Sequence, residues 1–128
     1  DEGFYTGVDT SATTCTACDA GKYSLGFVKN CSQCNPGSSS SSKASECEGC
    51  EAGYYSVDFG AATCTACKTG KFQSKTGATS CDTCKPGRYQ GATGQTSCSD
   101  CNAGTYAKSQ SSACSDCPAG TWSILTNC

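Results

Sequence analysis

The stretch CTACKTGKF, residues 64–72, decides the fold because its two cysteines, glycine and aromatic residue recur along the chain. Seven CxxC pairs follow one another at steps of 16 or 17 residues, and Cys128 stands alone after the last pair. A fixed period of this kind is the signature of a repeat array in which every unit adopts the same local structure. The pairs are Cys15/Cys18, Cys31/Cys34, Cys47/Cys50, Cys64/Cys67, Cys81/Cys84, Cys98/Cys101 and Cys114/Cys117.

The residues after each pair are also shared. A glycine stands three places after the second cysteine of every pair, and an aromatic residue stands five places after it in six of seven repeats. Ser39 is the exception. The opening residues DEGFY have the same pattern without its cysteine, which predicts that the chain starts inside a repeat. We therefore expect the chain to be a fragment of a longer protein, in which Cys15 pairs with a cysteine upstream.

Composition argues against a conventional hydrophobic core. Leu, Ile, Val and Phe together number ten of 128 residues, whereas 15 residues are cysteine. So few apolar side chains cannot offset the conformational entropy of the chain by burial alone, so cross-links or bound metal must contribute. The cysteine content exceeds the roughly 8–10% that is typical of a disulfide scaffold.

The cysteine spacing favours one regular pattern of disulfides. A bridge inside CxxC is typical of redox-active sites, so the simplest repeating pairing joins the second cysteine of one pair to the first of the next. Each bridge would close a loop of roughly 12–15 residues, worth about 3 kcal/mol in the loop-entropy model. The predicted bridges are Cys18–Cys31, Cys34–Cys47, Cys50–Cys64, Cys67–Cys81, Cys84–Cys98, Cys101–Cys114 and Cys117–Cys128.

These features predict a small disulfide-rich fold: a linear tandem array of single-disulfide loop modules, each of about 16–17 residues, with short β-hairpins and little other regular secondary structure. The modules should contact mainly their neighbours and form a quasi-one-dimensional rod. The glycine should permit a positive-φ bend, and the aromatic residue should pack on the neighbouring disulfide. The full repeats are 18–31, 34–47, 50–64, 67–81, 84–98 and 101–114, between a truncated repeat at 1–15 and a shortened terminal repeat at 117–128.

One repeat departs from the pattern. The loop from Cys34 carries GSSSSS, residues 37–42, where the other loops carry glycine and an aromatic residue. We expect this loop to be the least packed and the most hydrated of the array.

The phrase C-x-x-G-x-aromatic, followed by seven or eight residues and the next CxxC, resembles the ephrin-receptor-like cysteine-rich repeat. It is also similar to the opening module of tumour necrosis factor receptor cysteine-rich domains, within the growth-factor-receptor cysteine-rich superfamily. The resemblance covers the whole chain and implies an extracellular module, secreted or at the cell surface, in which each loop cysteine pairs with the next one along. The receptors interleave a second module with crossed disulfides, and this chain repeats only the short loop.

Two other interpretations of CxxC stay open. The spacing C-x2-C-x12-C-x2-C is close to that of a tetrathiolate zinc site, although the chain has no histidine. Thiol–disulfide exchange would use one activated CxxC, whereas seven equivalent pairs favour a structural role.

Without histidine no His-based catalytic triad is possible, and the aspartates are scattered over loops. We expect no enzymatic activity and no cofactor.

The charge and the polar composition limit the classes of partner that the chain is expected to bind. The net charge is −2, and the Lys and Arg residues are spread along the chain, which disfavours nucleic acid and anionic membranes. No apolar run is long enough to span a bilayer.

Asn30-Cys31-Ser32 is a sequon for N-glycosylation. Candidate O-glycosylation sites form the serine run Ser38, Ser39, Ser40, Ser41 and Ser42.

The uniformity of the repeats favours an extracellular structural protein. In this hypothesis the chain is a disulfide-stapled, glycosylated rod in a filament, stalk or cell-surface coat, and it associates with itself or with other extracellular proteins. The alternative is a ligand-binding ectodomain segment of a cell-surface receptor or adhesin.

Overall fold

The structure, a computed structural model, describes residues 2–6, 15–26 and 30–120, and leaves the side chains of Tyr5, Thr6 and Cys15 undescribed. The described residues form fourteen short strands and no helix. The strands are β1 (Phe4–Thr6), β2 (Cys15–Ala17), β3 (Lys22–Tyr23), β4 (Ser32–Gln33), β5 (Ser38–Ser39), β6 (Glu48–Gly49), β7 (Tyr54–Tyr55), β8 (Thr65–Ala66), β9 (Lys71–Phe72), β10 (Asp82–Thr83), β11 (Arg88–Tyr89), β12 (Ser99–Asp100), β13 (Thr105–Tyr106) and β14 (Ser115–Asp116).

Each pair of successive strands forms one two-stranded sheet. In every described hairpin except β1–β2, which is one residue longer in each strand, the first strand holds the aromatic position and the residue before it, and the second holds the two residues between the cysteines of the next CxxC pair. In β9 and β10, for example, Phe72 lies opposite Asp82 in an antiparallel register. Hairpins this short are marginal on their own, so each needs a further constraint.

Disulfides supply that constraint. Each of the six described bridges joins cysteines 13 or 14 residues apart, with Cα–Cα separations of 5.7–5.8 Å. The bridges are Cys18–Cys31, Cys34–Cys47, Cys50–Cys64, Cys67–Cys81, Cys84–Cys98 and Cys101–Cys114, the pairs that the sequence favours. The predicted fold class, a small disulfide-rich repeat array with short hairpins, is confirmed.

Sulfur forms most of the core. The second cysteine of each described bridge-forming CxxC pair is at most 4% exposed, whereas its bridge partner is half-buried. The repeat aromatics Tyr23, Tyr55, Phe72, Tyr89 and Tyr106 are half-buried as well, and they do not form a separate buried core. Apolar mass is thus concentrated at the disulfides, as the shortage of Leu, Ile and Val requires.

Backbone hydrogen bonds connect successive loops in a recurring pattern. The amide of the repeat glycine donates to the carbonyl of the residue after the aromatic position in the next loop, at 2.7–2.8 Å. This bond joins Gly21 to Ser40, Gly37 to Ser56, Gly53 to Gln73, Gly70 to Gln90 and Gly87 to Ala107.

A second recurring bond starts from the turn of each loop. Its amide donates to the carbonyl of the buried cysteine of the loop before, at 2.7–2.9 Å. This bond joins Lys43 to Cys18, Gly60 to Cys34, Gly77 to Cys50, Gly94 to Cys67 and Gln110 to Cys84. Because both bonds use only main-chain groups, the connection between loops does not depend on the identity of the exposed side chains.

The chain divides into two compact units. The first comprises Asp1–Glu51, Tyr55–Thr65 and Thr76–Thr79, and it contains the three bridges from Cys18 to Cys64. The second comprises Ala52–Tyr54, Ala66–Lys75 and Ser80–Cys128, and it contains the three bridges from Cys67 to Cys114. Each unit repeats both recurring hydrogen bonds within itself.

Contacts extend beyond the neighbouring loop, which the sequence does not predict. A Cβ atom placed on Gly37 would overlap the carbonyl oxygen of Gly77, which lies two loops further along the chain. The same approach, again within one unit, joins Gly21 to Gly60 and Gly70 to Gln110. The loops that contain Gly21, Gly37 and Gly70 are therefore packed against the loop after the next one as well as bonded to the next.

The serine-rich loop is packed like the others, contrary to expectation. Ser38 and Ser39 form strand β5, and Ser39 pairs with Glu48 across the hairpin. Cys34 is fully buried and Ser40 is 5% exposed. The hairpin survives without its aromatic residue because the disulfide and the main-chain bonds hold it.

Candidate functional surface

Three shallow grooves lie at equivalent positions in the repeat. Each is lined by a residue of the strand that follows the first cysteine of one CxxC pair and by the first cysteine of the following pair. In the first groove these residues are Thr16 and Cys31, in the second Glu48 and Cys64, and in the third Asp82 and Cys98. The grooves therefore share these two positions of the repeat, and the second groove is lined in addition by residues of the preceding loop, Ser39, Ser40 and Ser41.

The charges in these grooves change along the chain. The second groove carries the exposed carboxylates of Glu46 and Glu48. The third carries the exposed cations Lys85 and Arg88, together with Asp82 and the half-buried ring of Phe72. An open, shallow shape with charged walls suits the surface of another macromolecule better than it suits a small apolar ligand.

Arg88 and Asp100 form an ion pair across one hairpin. They lie directly opposite each other in β11 and β12, with Arg88 Nε 2.5 Å from Asp100 Oδ1. Their side chains are 53% and 70% exposed, so solvent screens the attraction and its contribution to stability is small. Within the described part of the chain no other ion pair forms, which leaves the remaining charges of both grooves available to a partner.

Sequence reasoning missed a buried polar position directly after the aromatic one. Ser24, Ser40, Ser56 and Gln73 occupy it and are 2–8% exposed. Their hydrogen bonds satisfy main-chain carbonyls: the Ser40 hydroxyl donates to Lys22 O at 3.0 Å, and Gln73 Nε2 donates to Ser80 O at 2.8 Å. This position could have been identified from the sequence, because it lies six residues after the second cysteine of the CxxC pair in every loop.

A comparison with protein-family models identifies the repeat. The model described as tyrosine-protein kinase ephrin type A/B receptor-like matches residues 37–84 and 70–112, which together cover more than half of the chain. The chain belongs to this family. A search of curated proteins found no significant match over the chain.

The ephrin-receptor-like repeats and their disulfides indicate an extracellular domain. Twelve cysteines lie in the six described bridges, so none of these twelve is a thiolate that could bind zinc. Residues 2–6, 15–26 and 30–120 contain no helix that could cross a membrane. The predicted partner of Cys117, Cys128, lies outside the described residues, as does the side chain of Cys15.

The predicted glycosylation sites differ in accessibility. Asn30 is exposed and lies beside Cys31, whose disulfide anchors the start of β4. In the serine run, Ser41 and Ser42 are exposed, whereas Ser38 and Ser39 are half-buried in β5 and Ser40 is buried. Within this serine run, Ser41 and Ser42 therefore present the most accessible hydroxyl groups.

Proposed function

We propose that this chain is an extracellular structural array, part of a filament, stalk or cell-surface coat. One observation carries the proposal: the same two main-chain hydrogen bonds recur between successive loops throughout each unit. Main-chain bonds of this kind make every loop equivalent, so length can be adjusted by adding repeats without new side-chain contacts. A recognition domain, by contrast, needs loops that differ from one another.

Resistance to extension is the property that this architecture supplies best. A pulling force can straighten only the residues outside each covalent loop, because every described loop is closed by a disulfide over 13 or 14 residues. One cysteine of each described bridge is at most 4% exposed, which directs attack by a reducing thiol to the half-buried partner sulfur. We therefore assign the chain a mechanical role and no catalytic one.

Glycans complete the proposal. Asn30, Ser41 and Ser42 are exposed, and sugars attached there would increase solubility and resistance to proteases without disturbing the buried line of sulfur atoms. All three sites lie in the first unit, so the added mass would be on that unit.

Electron microscopy of protein purified from its native source, without reduction, tests the structural role. We expect filaments or a continuous coat, and peptide mapping under non-reducing conditions should return each loop as one disulfide-linked peptide with hexose increments on the exposed sites. A protein that stays monomeric at high concentration and binds a soluble partner would contradict the proposal and favour the receptor or adhesin ectodomain.

A further inference from the structure

The charges of this chain are separated along its length. Residues 1–64 hold eight acidic and three basic side chains, whereas residues 65–128 hold three acidic and six basic ones. The net charge of −2 thus conceals an acidic half of about −5 and a basic half of about +3. The described residues of the two halves divide between the two compact units in the same way.

The opposite charges occupy equivalent places in the repeat. The residue directly after the second cysteine is exposed in every described repeat, and it is acidic at Asp19 and Glu51 but basic at Lys68 and Lys85. Asp19 and Lys85 each line one of the three grooves. Equivalent positions of the repeat therefore carry opposite charge in the two halves, although Asp19 and Glu51 lie two repeats apart and Lys68 and Lys85 lie in adjacent repeats.

Most of these charges have no counter-ion among the described residues of their own unit. We call Asp19, Glu46, Glu48 and Glu51 the acidic edge, and Lys68, Lys85 and Arg88 the basic edge. Of these side chains, only Arg88 forms an ion pair in the described part of the chain. A partner with complementary charges would therefore gain attractions at the side chains other than Arg88 without breaking existing ion pairs.

We propose that the partner is a second copy of this chain, and that the acidic edge of one copy contacts the basic edge of another. The inference rests on the proposed function, because it names what the structural array assembles with. A second copy fits because it supplies both charges at equivalent places in the repeat, with the acidic side chains in its first half and the basic side chains in its second. The pairing is heterologous in its contacts, acidic edge to basic edge.

Sedimentation velocity of the disulfide-bonded chain at about 10 mM and about 1 M salt tests the contact, because the Debye length falls from roughly 30 Å to roughly 3 Å over that range. We expect association at low salt that is lost at high salt. Lys68→Glu/Lys85→Glu, and separately Glu48→Lys/Glu51→Lys, should each weaken self-association about tenfold or more. An equimolar mixture of these two double variants should associate again, because each supplies the charge that the other lacks.

Lys75→Glu/Lys108→Glu is the matched control. It makes the same change in net charge at exposed loop positions outside the basic edge, and it should leave the association within about threefold of that of the unchanged chain. Circular dichroism of all variants verifies that the folds are equal.

Three results would overturn the inference: a chain that is monomeric at low salt, an association that the edge variants do not alter, or binding of a sulfated polysaccharide by the basic edge without self-association. Native filaments that tolerate Lys68→Glu/Lys85→Glu would reject this contact and leave the structural role intact. If native filaments are absent but the edges pair in a salt-sensitive way, the structural role is rejected and the contact between the edges stands.

Discussion

Gly37 and Gly77 approach each other so closely that one methyl group on Gly37 would overlap the Gly77 carbonyl oxygen. The two residues lie two loops apart in the same unit, so this approach joins loops that are not neighbours in sequence. Gly37 also has a φ of +84°, which disfavours any L-amino acid side chain. Backbone conformation and packing therefore demand glycine independently.

Comparing Gly37→Ala with Gly104→Ala should separate the cost of the positive φ from the cost of the steric overlap. Gly104 has a similar φ of +82°, but a Cβ atom there meets no atom of the described residues within 4 Å. Gly104→Ala should cost about 1–2 kcal/mol of unfolding free energy from strain alone, whereas Gly37→Ala should cost at least twice as much because the backbone must also move. Guanidinium denaturation of the oxidised chain measures both. Equal losses for the two variants would show that the close approach contributes nothing.

Lys43→Gly should stabilise the chain. Lys43 and Gln110 have φ values of 62° and 65°, in the place where other loops have Gly60, Gly77 and Gly94. The left-handed conformation costs a side-chain-bearing residue roughly 1–2 kcal/mol, which exceeds the entropy that glycine loses on folding. We expect a gain of several tenths to about 1 kcal/mol in the unfolding free energy.

Lys108→Gly is the control for that gain. It removes the same exposed side chain, but Lys108 is absent from the positive-φ residues, so glycine should destabilise the chain by about 0.5–1 kcal/mol. If both substitutions shift the thermal midpoint in the same direction, the positive φ of Lys43 does not destabilise the folded chain.

The sequence predicts the loops far better than it predicts their assembly. Cysteine spacing is sufficient to place the bridges and the hairpins, because each bridge ties the residues that flank a single loop. The contact between Gly37 and Gly77 has no such signal, since main-chain groups make it. Ser40 was expected on the surface because hydroxyl side chains usually are, and its burial follows from a hydrogen bond to Lys22 O that only the packed array provides.

The buried side chain of Gln73 should stabilise its loop through two hydrogen bonds, so replacing it should destabilise the loop. Nε2 donates to Ser80 O at 2.8 Å, and Oε1 accepts from the Lys75 amide at 3.0 Å, so one side chain spans the hairpin loop. Gln73→Glu replaces the donor with a carboxylate that faces a carbonyl oxygen, and we expect a loss of about 1–3 kcal/mol at neutral pH.

The pH dependence of Gln73→Glu adds a second readout. Burial and the nearby carbonyl oppose ionisation, so the pKa of the introduced carboxyl should lie above its unfolded value. The protonated form can donate to Ser80 O, so the deficit should shrink as the pH falls through the folded-state pKa and grow as it rises. Gln95→Glu, at an exposed position, should show neither the loss nor this pH dependence in urea unfolding curves.

Cys84→Ala/Cys98→Ala should destabilise the array locally. Removing a bridge over 14 residues costs about 3 kcal/mol, and Cys84 is fully buried with main-chain bonds to both sides: its amide donates to Gly70 O and its carbonyl accepts from Gln110 N. Because stability in repeat arrays comes from each unit and its contacts, amide hydrogen exchange should accelerate at Cys84 and Gln110 while Gly21 and Gly37 stay protected.

Cys34→Ala/Cys47→Ala is the reciprocal experiment, with the bridge removed from the first unit. It should accelerate exchange at Gly60, whose amide donates to Cys34 O, and at Cys34 itself, while Gln110 keeps its protection. Two variants with mirror-image patterns would establish that each disulfide stabilises its own loop and the loops bonded to it. A uniform rise in exchange over the whole chain would instead mean that the array unfolds as one cooperative body, in which case loops could not be added or removed independently.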